Sequence, residues 1–161
     1  MSGRQAARRA DIPLLDRLLD EASERTTEPT PREAMDILHR SVQRDLEMLL
    51  NSRRYWRRWS GSLESLKGSA LAFGMPDYTA GSFRDRRQRE TLRAEIEATL
   101  ARFEPRFAHV RVTLLDGGTQ DATLRLKIEA ELHTRAAAEP IEFETVVDAT
   151  TADVTVRAND V

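Results

Sequence analysis

The chain contains no cysteine. It can build neither a disulfide framework nor a thiol-based metal site, and the reducing cytoplasm is its natural setting. Lysine is almost as scarce. Among the 25 lysines and arginines only Lys67 and Lys127 are lysines. Genome composition accounts for such a bias without any function. The functional alternative is a preference for planar, bidentate contacts with carboxylates, which a guanidinium makes and an ammonium does not. No segment approaches the roughly 20 apolar residues of a transmembrane helix. The basic opening, MSGRQAARRADIPLLDRLLD, is not followed by an apolar run of signal-peptide length, so no membrane insertion is expected. The net charge of −2 removes any strong bulk attraction to nucleic acid or to an anionic membrane.

What is present suits one domain with a short arm. Of 161 residues, 40% are apolar and 32% charged, enough for one modest core beneath a heavily charged surface. Residues 1–29 read as the arm. Within it Leu14, Leu15, Leu18 and Leu19 form a helical stripe of barely two turns. Alone it is too short to hold in water, so it must dock on this domain or on a partner. The domain proper spans 30–161. Its first helix, about 32–52, opens with Thr30 as N-cap, Pro31 at the first helical position and Glu33 completing a capping box. Met35, Leu38, Val42, Leu46, Leu49 and Leu50 make its apolar face. A second helix is predicted over 63–73, with Leu63, Leu66, Ala70 and Phe73 on one side and Gly74 as its stop. The third, 83–103, has Ser82 as its cap and Asp85 in its first turn. Leu92, Ile96, Leu100 and Phe103 form its stripe. Pro105 ends it.

Beyond Pro105 the apolar period changes from 3.6 to 2. Strands are predicted over about 108–115, 122–133, 140–147 and 153–157, with a turn at Asp116-Gly117-Gly118. Apolar residues alternate with Arg, Lys, Glu and Thr, the pattern of a sheet with one dry and one wet face. The fold class is α+β: three main helices packed on one face of a small antiparallel sheet of three to four strands. A sheet this small leaves long edges, which either repel or accept a further strand.

Few residues suggest chemistry. His39, His109 and His133 are scattered, no HxxxH or HExxH spacing occurs, and there is neither a P-loop nor a GxGxxG. No metal, cofactor or small-molecule substrate is implied. The segment RRYWRRW, 53–59, interleaves Arg53, Arg54, Arg57 and Arg58 with Tyr55, Trp56 and Trp59. It could bind phosphates and stack bases. It could equally pack locally, with its arginines at a helix C-terminus, or serve as a protein interface.

The remaining motifs are recognisable together. In order they are LLDRLLD (14–20), SVQRDLEMLLNSRR (41–54), the LAFGMPDY turn (71–78) and FEPRF (103–107) between a charged helix and alternating strands. Over residues 14 to about 148 this set resembles the TssE family, the small baseplate subunits of type VI secretion systems. That family is itself similar to the phage baseplate wedge subunits once labelled lysozyme-like. The triplet Glu104, Pro105 and Arg106 is the family's hallmark and stands here unchanged. The resemblance implies a cytoplasmic structural protein, not an enzyme. It would bind the wedge proteins TssF and TssG, meet the TssB–TssC sheath and start sheath polymerisation. It also implies that Glu104, Pro105 and Arg106 face a partner, together with Leu14, Leu15, Leu18 and Leu19 and the helix end at Arg53 and Arg54. On this reading Glu104 and Arg106 present unsatisfied groups, and Arg106→Ala weakens binding with little effect on thermal unfolding. The old label suggests a peptidoglycan hydrolase with Glu104 as its acid. Arg106 two residues away works against that, because a neighbouring cation favours the ionised carboxylate.

Overall fold

A computed structural model describes residues 13–15, 30–54, 63–77, 85–115, 123–134, 138–148 and 150–159. Helix α1 (Pro31–Asn51) begins as its sequence predicts. The Thr30 hydroxyl accepts from the Glu33 N–H at 3.3 Å, and the Glu33 carboxylate accepts from the Thr30 N–H at 2.7 Å. One capping box thus satisfies two of the donors that a helix start leaves without partners. Leu38, Val42, Leu46, Leu49 and Leu50 are buried along one face.

The predicted second helix is not continuous. The segment forms one α turn, α2 (Glu64–Lys67), and a separate 3₁₀ turn at Ala70–Ala72. Gly68, with little helical preference, lies between them. The buried residues here are Ala72, Gly74 and Met75, while Leu63 and Leu71 are exposed, so the helical stripe does not mark the buried side. Helix α3 (Arg86–Phe103) is capped by Asp85, whose side chain accepts from the Arg87 N–H at 2.9 Å. This corrects the assignment of Ser82, which lies outside the described residues. Leu92, Ile96 and Leu100 are buried as predicted, and Thr99 with them.

Strands β1 (Phe107–Leu115), β2 (Thr123–His133), β3 (Ala138–Asp148) and β4 (Val154–Ala158) form one antiparallel sheet in sequence order. Leu124, Leu126, Ile128, Ala130 and Leu132 on β2 face Ile141, Phe143 and Val147 on β3 across a continuous dry face. On the wet face Lys127 meets Glu142 at 2.8 Å and Glu129 at 3.0 Å. β1 departs from simple alternation. The register slips by one residue between Ala108 and Arg111, where His109 takes a φ of 51°. This bulge lets Phe107 and Val112, five positions apart, both turn into the core. Phe107 packs against Phe143 with ring centroids 6.4 Å apart.

Candidate partner-binding site

The triplet is the joint between the helical and strand halves. Glu104 N–H donates to the Leu100 carbonyl at 2.9 Å and closes α3. The Glu104 carbonyl then accepts from Phe107 N–H at 3.1 Å, forming a tight turn with Pro105 at its second position, where its fixed φ fits. The Arg106 carbonyl accepts from His133 N–H at 2.8 Å, extending the pairing of β1 with β2. The backbone of all three residues is therefore set by the end of a helix, a turn and the start of a sheet.

The side chains do not wait for a partner. Glu104 is only 5% exposed. Its Oε1 accepts from Arg106 Nε at 2.6 Å and from the Arg106 N–H at 3.2 Å, and its Oε2 accepts from Arg106 Nη2 at 2.5 Å. The same Nη2 donates to Asp45 Oδ2 on α1 at 2.8 Å. Burial pulls the Arg106 guanidinium toward its neutral form, but the Glu104 and Asp45 carboxylates outweigh this and hold its pKa above the ordinary value. The expectation that Glu104 and Arg106 present unsatisfied groups is thus corrected. A carboxylate this buried needs its charge matched, and the domain itself supplies the match. Arg106 keeps an outward rim, with 26% of its side chain exposed. Pro105 is exposed beside it. The sequence reading missed Asp45, the third member. Its signal was an acid within RDLE on the helix side that also carries Val42, Leu46 and Leu49.

Arg53 and Arg54 also have internal partners. Arg53 Nη2 donates to the Ala152 carbonyl at 2.9 Å, tying the end of α1 to the turn before β4. Arg54 Nε donates to the Gly74 carbonyl at 3.2 Å and its Nη2 to Thr99 Oγ1 at 3.3 Å, with Glu95 at 3.5 Å. Between them runs a short parallel bridge. Met75 N–H donates to the Ser52 carbonyl and Arg54 N–H to the Met75 carbonyl, both at 2.8 Å. Gly74 makes this approach feasible: its φ is +93°, and a Cβ there would sit 2.5 Å from the Ser52 oxygen. NSRR and GMPD, which read as two motifs, are one packed unit.

Leu14 and Leu15 are helical and 67% and 51% exposed. Leu18 and Leu19 lie outside the described residues, as do 55–59 of the RRYWRRW segment. The structure therefore brings Glu104 and Arg106 together with Asp45, and shows Leu14 and Leu15 as exposed apolar side chains. Among the described residues no group of three or more His, Asp or Glu side chains could hold a metal ion. No helix among them is long and apolar enough to cross a membrane.

A family model described as baseplate wedge protein gp25 matches residues 36–137. The match runs from the first turns of α1 past the end of β2 and includes the whole triplet. No curated protein matches the chain.

Proposed function

From the fact that the chain belongs to the baseplate wedge protein gp25 family, we propose that it is a cytoplasmic structural subunit of a type VI secretion baseplate. In this reading it binds the wedge proteins TssF and TssG and starts polymerisation of the TssB–TssC sheath. The family match carries the reading, since it covers most of the chain, and the ordered motifs around Glu104, Pro105 and Arg106 narrow it. What the triplet offers a partner is Pro105 and the outer rim of the Arg106 guanidinium, pre-organised by Glu104 and Asp45. Rigid presentation of a planar donor lowers the ordering cost of binding. Leu14, Leu15, Leu18 and Leu19 supply a second contact, apolar side chains that seat in a groove on the partner. Arg53 and Arg54 contribute by holding the helix end in shape.

Co-expression with TssF and TssG tests this. The chain should co-elute with both, and its deletion should abolish sheath assembly in cells. Leu14→Ser with Leu15→Ser should reduce co-elution without changing thermal unfolding. A chain that fails to co-elute, in cells whose sheaths assemble without it, overturns the proposal. Peptidoglycan hydrolysis gains nothing from the site, because both oxygens of Glu104 are taken up by Arg106 in a buried position.

A further inference from the structure

A four-stranded sheet has two outer edges, and here helix side chains meet both. On β1, Val112 N–H donates to Glu97 Oε2 at 3.0 Å and Arg93 Nη1 donates to the Val112 carbonyl at 3.3 Å. The bulge at His109 further disrupts that edge for pairing. β4 is closed differently. Asp148 N–H donates to the Asp153 carbonyl and Asn159 N–H to the Glu142 carbonyl. By the alternation of a strand, 153, 155, 157 and 159 therefore face β3, while Val154, Val156 and Ala158 present their backbone groups outward.

Asn51, the last residue of α1, treats Val154 as a neighbouring strand would. Its Oδ1 accepts from Val154 N–H at 2.9 Å and its Nδ2 donates to the Val154 carbonyl at 2.8 Å. Two turns earlier Gln43 Nε2 donates to the Val156 carbonyl at 2.8 Å. These are neutral amide groups in the geometry of a strand ladder, placed eight residues apart on one helix face.

We propose that Gln43 and Asn51 form a latch on the outer edge of β4. The latch holds shut a surface that fits the same edge of a second copy of this chain. An antiparallel two-fold about Val156 sets Val154 against Ala158, so the outward groups of one strand meet those of the other. On the wet face the same two-fold sets Arg157 against Thr155, so no like charges stand directly opposite. The edge carries no proline, and its one charge, Arg157, lies on the wet face, so α1, held along β4 by the latch, is its protection. The inference concerns the isolated chain and does not rest on the baseplate reading.

Sedimentation equilibrium of the full chain, wild type against Gln43→Ala with Asn51→Ala, tests the proposal. Alanine preserves helix preference in α1. The wild type should stay monomeric, and the double variant should self-associate at least roughly tenfold more tightly, a difference of about one hydrogen bond per copy. Adding Ala158→Pro removes an outward N–H and should restore the monomer, which separates edge pairing from aggregation of unfolded chain. Hydrogen exchange at the Val154 amide reads the latch itself and needs only the single Asn51→Ala variant, which serves if the double variant does not fold. Exchange there should be roughly tenfold faster than in wild type. Unchanged exchange at Val154 overturns the latch. Faster exchange in a variant that remains as monomeric as the wild type overturns the pairing surface.

Discussion

Glu104→Gln should destabilise the domain by about 2 kcal/mol. The substitution keeps the shape and removes the charge. The wild-type carboxylate accepts three bonds from Arg106, one from its backbone N–H and two from its guanidinium, at 5% exposure. The glutamine amide would turn its own donors toward a guanidinium that has only donors. Breaking a fully buried ion pair costs about 3–5 kcal/mol. Two features reduce that figure. The Arg106 side chain is 26% exposed, so water reaches part of it, and Asp45 remains at 2.8 Å as a second acceptor. Halving the full cost gives about 2 kcal/mol, or roughly 4–8 °C in Tm for a domain of this size. Asp45→Asn should cost far less, about 0.5–1 kcal/mol, because both side chains of that pair are about a quarter open to solvent and Glu104 still holds the guanidinium. Thermal unfolding by circular dichroism, with urea midpoints for the same variants, measures both. A Glu104→Gln variant within about 1 °C of wild type would sink the account, as would Asp45→Asn proving the more damaging of the two. The same reasoning reverses the sequence-based expectation for Arg106→Ala. That change strands a buried carboxylate and should lower Tm as well as any partner affinity.

Two other predictions test the packing and the wet face. Gly74→Ala should destabilise by roughly 2–4 kcal/mol, since it combines a left-handed φ of +93° with a Cβ 2.5 Å from the Ser52 oxygen; a urea midpoint equal to wild type would show that the NSRR–GMPD bridge is dispensable. Acid should weaken the domain through Glu142 and Asp148. The Lys127 ammonium and then the Asn159 amide hold the Glu142 carboxyl below its ordinary value, and the N–H groups of Thr150 and Thr151 do the same for Asp148. A lowered folded-state pKa contributes stability that is complete above the unfolded-state values of about 4.3 and 3.9 and is lost as pH falls through the folded ones. Urea midpoints should therefore be flat from pH 6 to about pH 5 and fall below it, with a shallower fall in Lys127→Met.

Much of this molecule was legible in its sequence because burial imposes a period. The stripe from Leu38 to Leu50 is buried, and so are Leu92, Ile96 and Leu100 and the β2 run from Leu124 to Leu132. A capping box needs two residues three positions apart, and Thr30 and Glu33 form it as read. The second helix is shorter than predicted and interrupted, because four apolar residues at helical spacing do not overcome Gly68 and the pull of the Ser52–Met75 bridge, which buries Met75 instead of Leu63. The bulge at His109 left no mark in the alternation, since Val110, Val112 and Leu114 keep step on their own.

The polar residues were the hardest to read, and the reason is physical. Gln43, Asn51, Arg93 and Glu97 occupy helix positions where polarity ordinarily means solvent. Here each instead bonds a backbone group on a sheet edge. The hydrophobic period reports only how far a face is from water. It does not distinguish a polar side chain bonded to water from one bonded to a strand, since both are polar and both flank an apolar stripe. Glu104 and Arg106 show the same ambiguity. Opposite charges two residues apart at a helix end look exposed, and only the approach of Asp45 from α1, 61 positions away, turns them inward. In a domain whose sheet is this small, the helices finish the hydrogen bonding that further strands would otherwise provide. A polar residue bordering the apolar stripe of a helix beside an edge strand is therefore a candidate edge cap before it is a candidate for anything else.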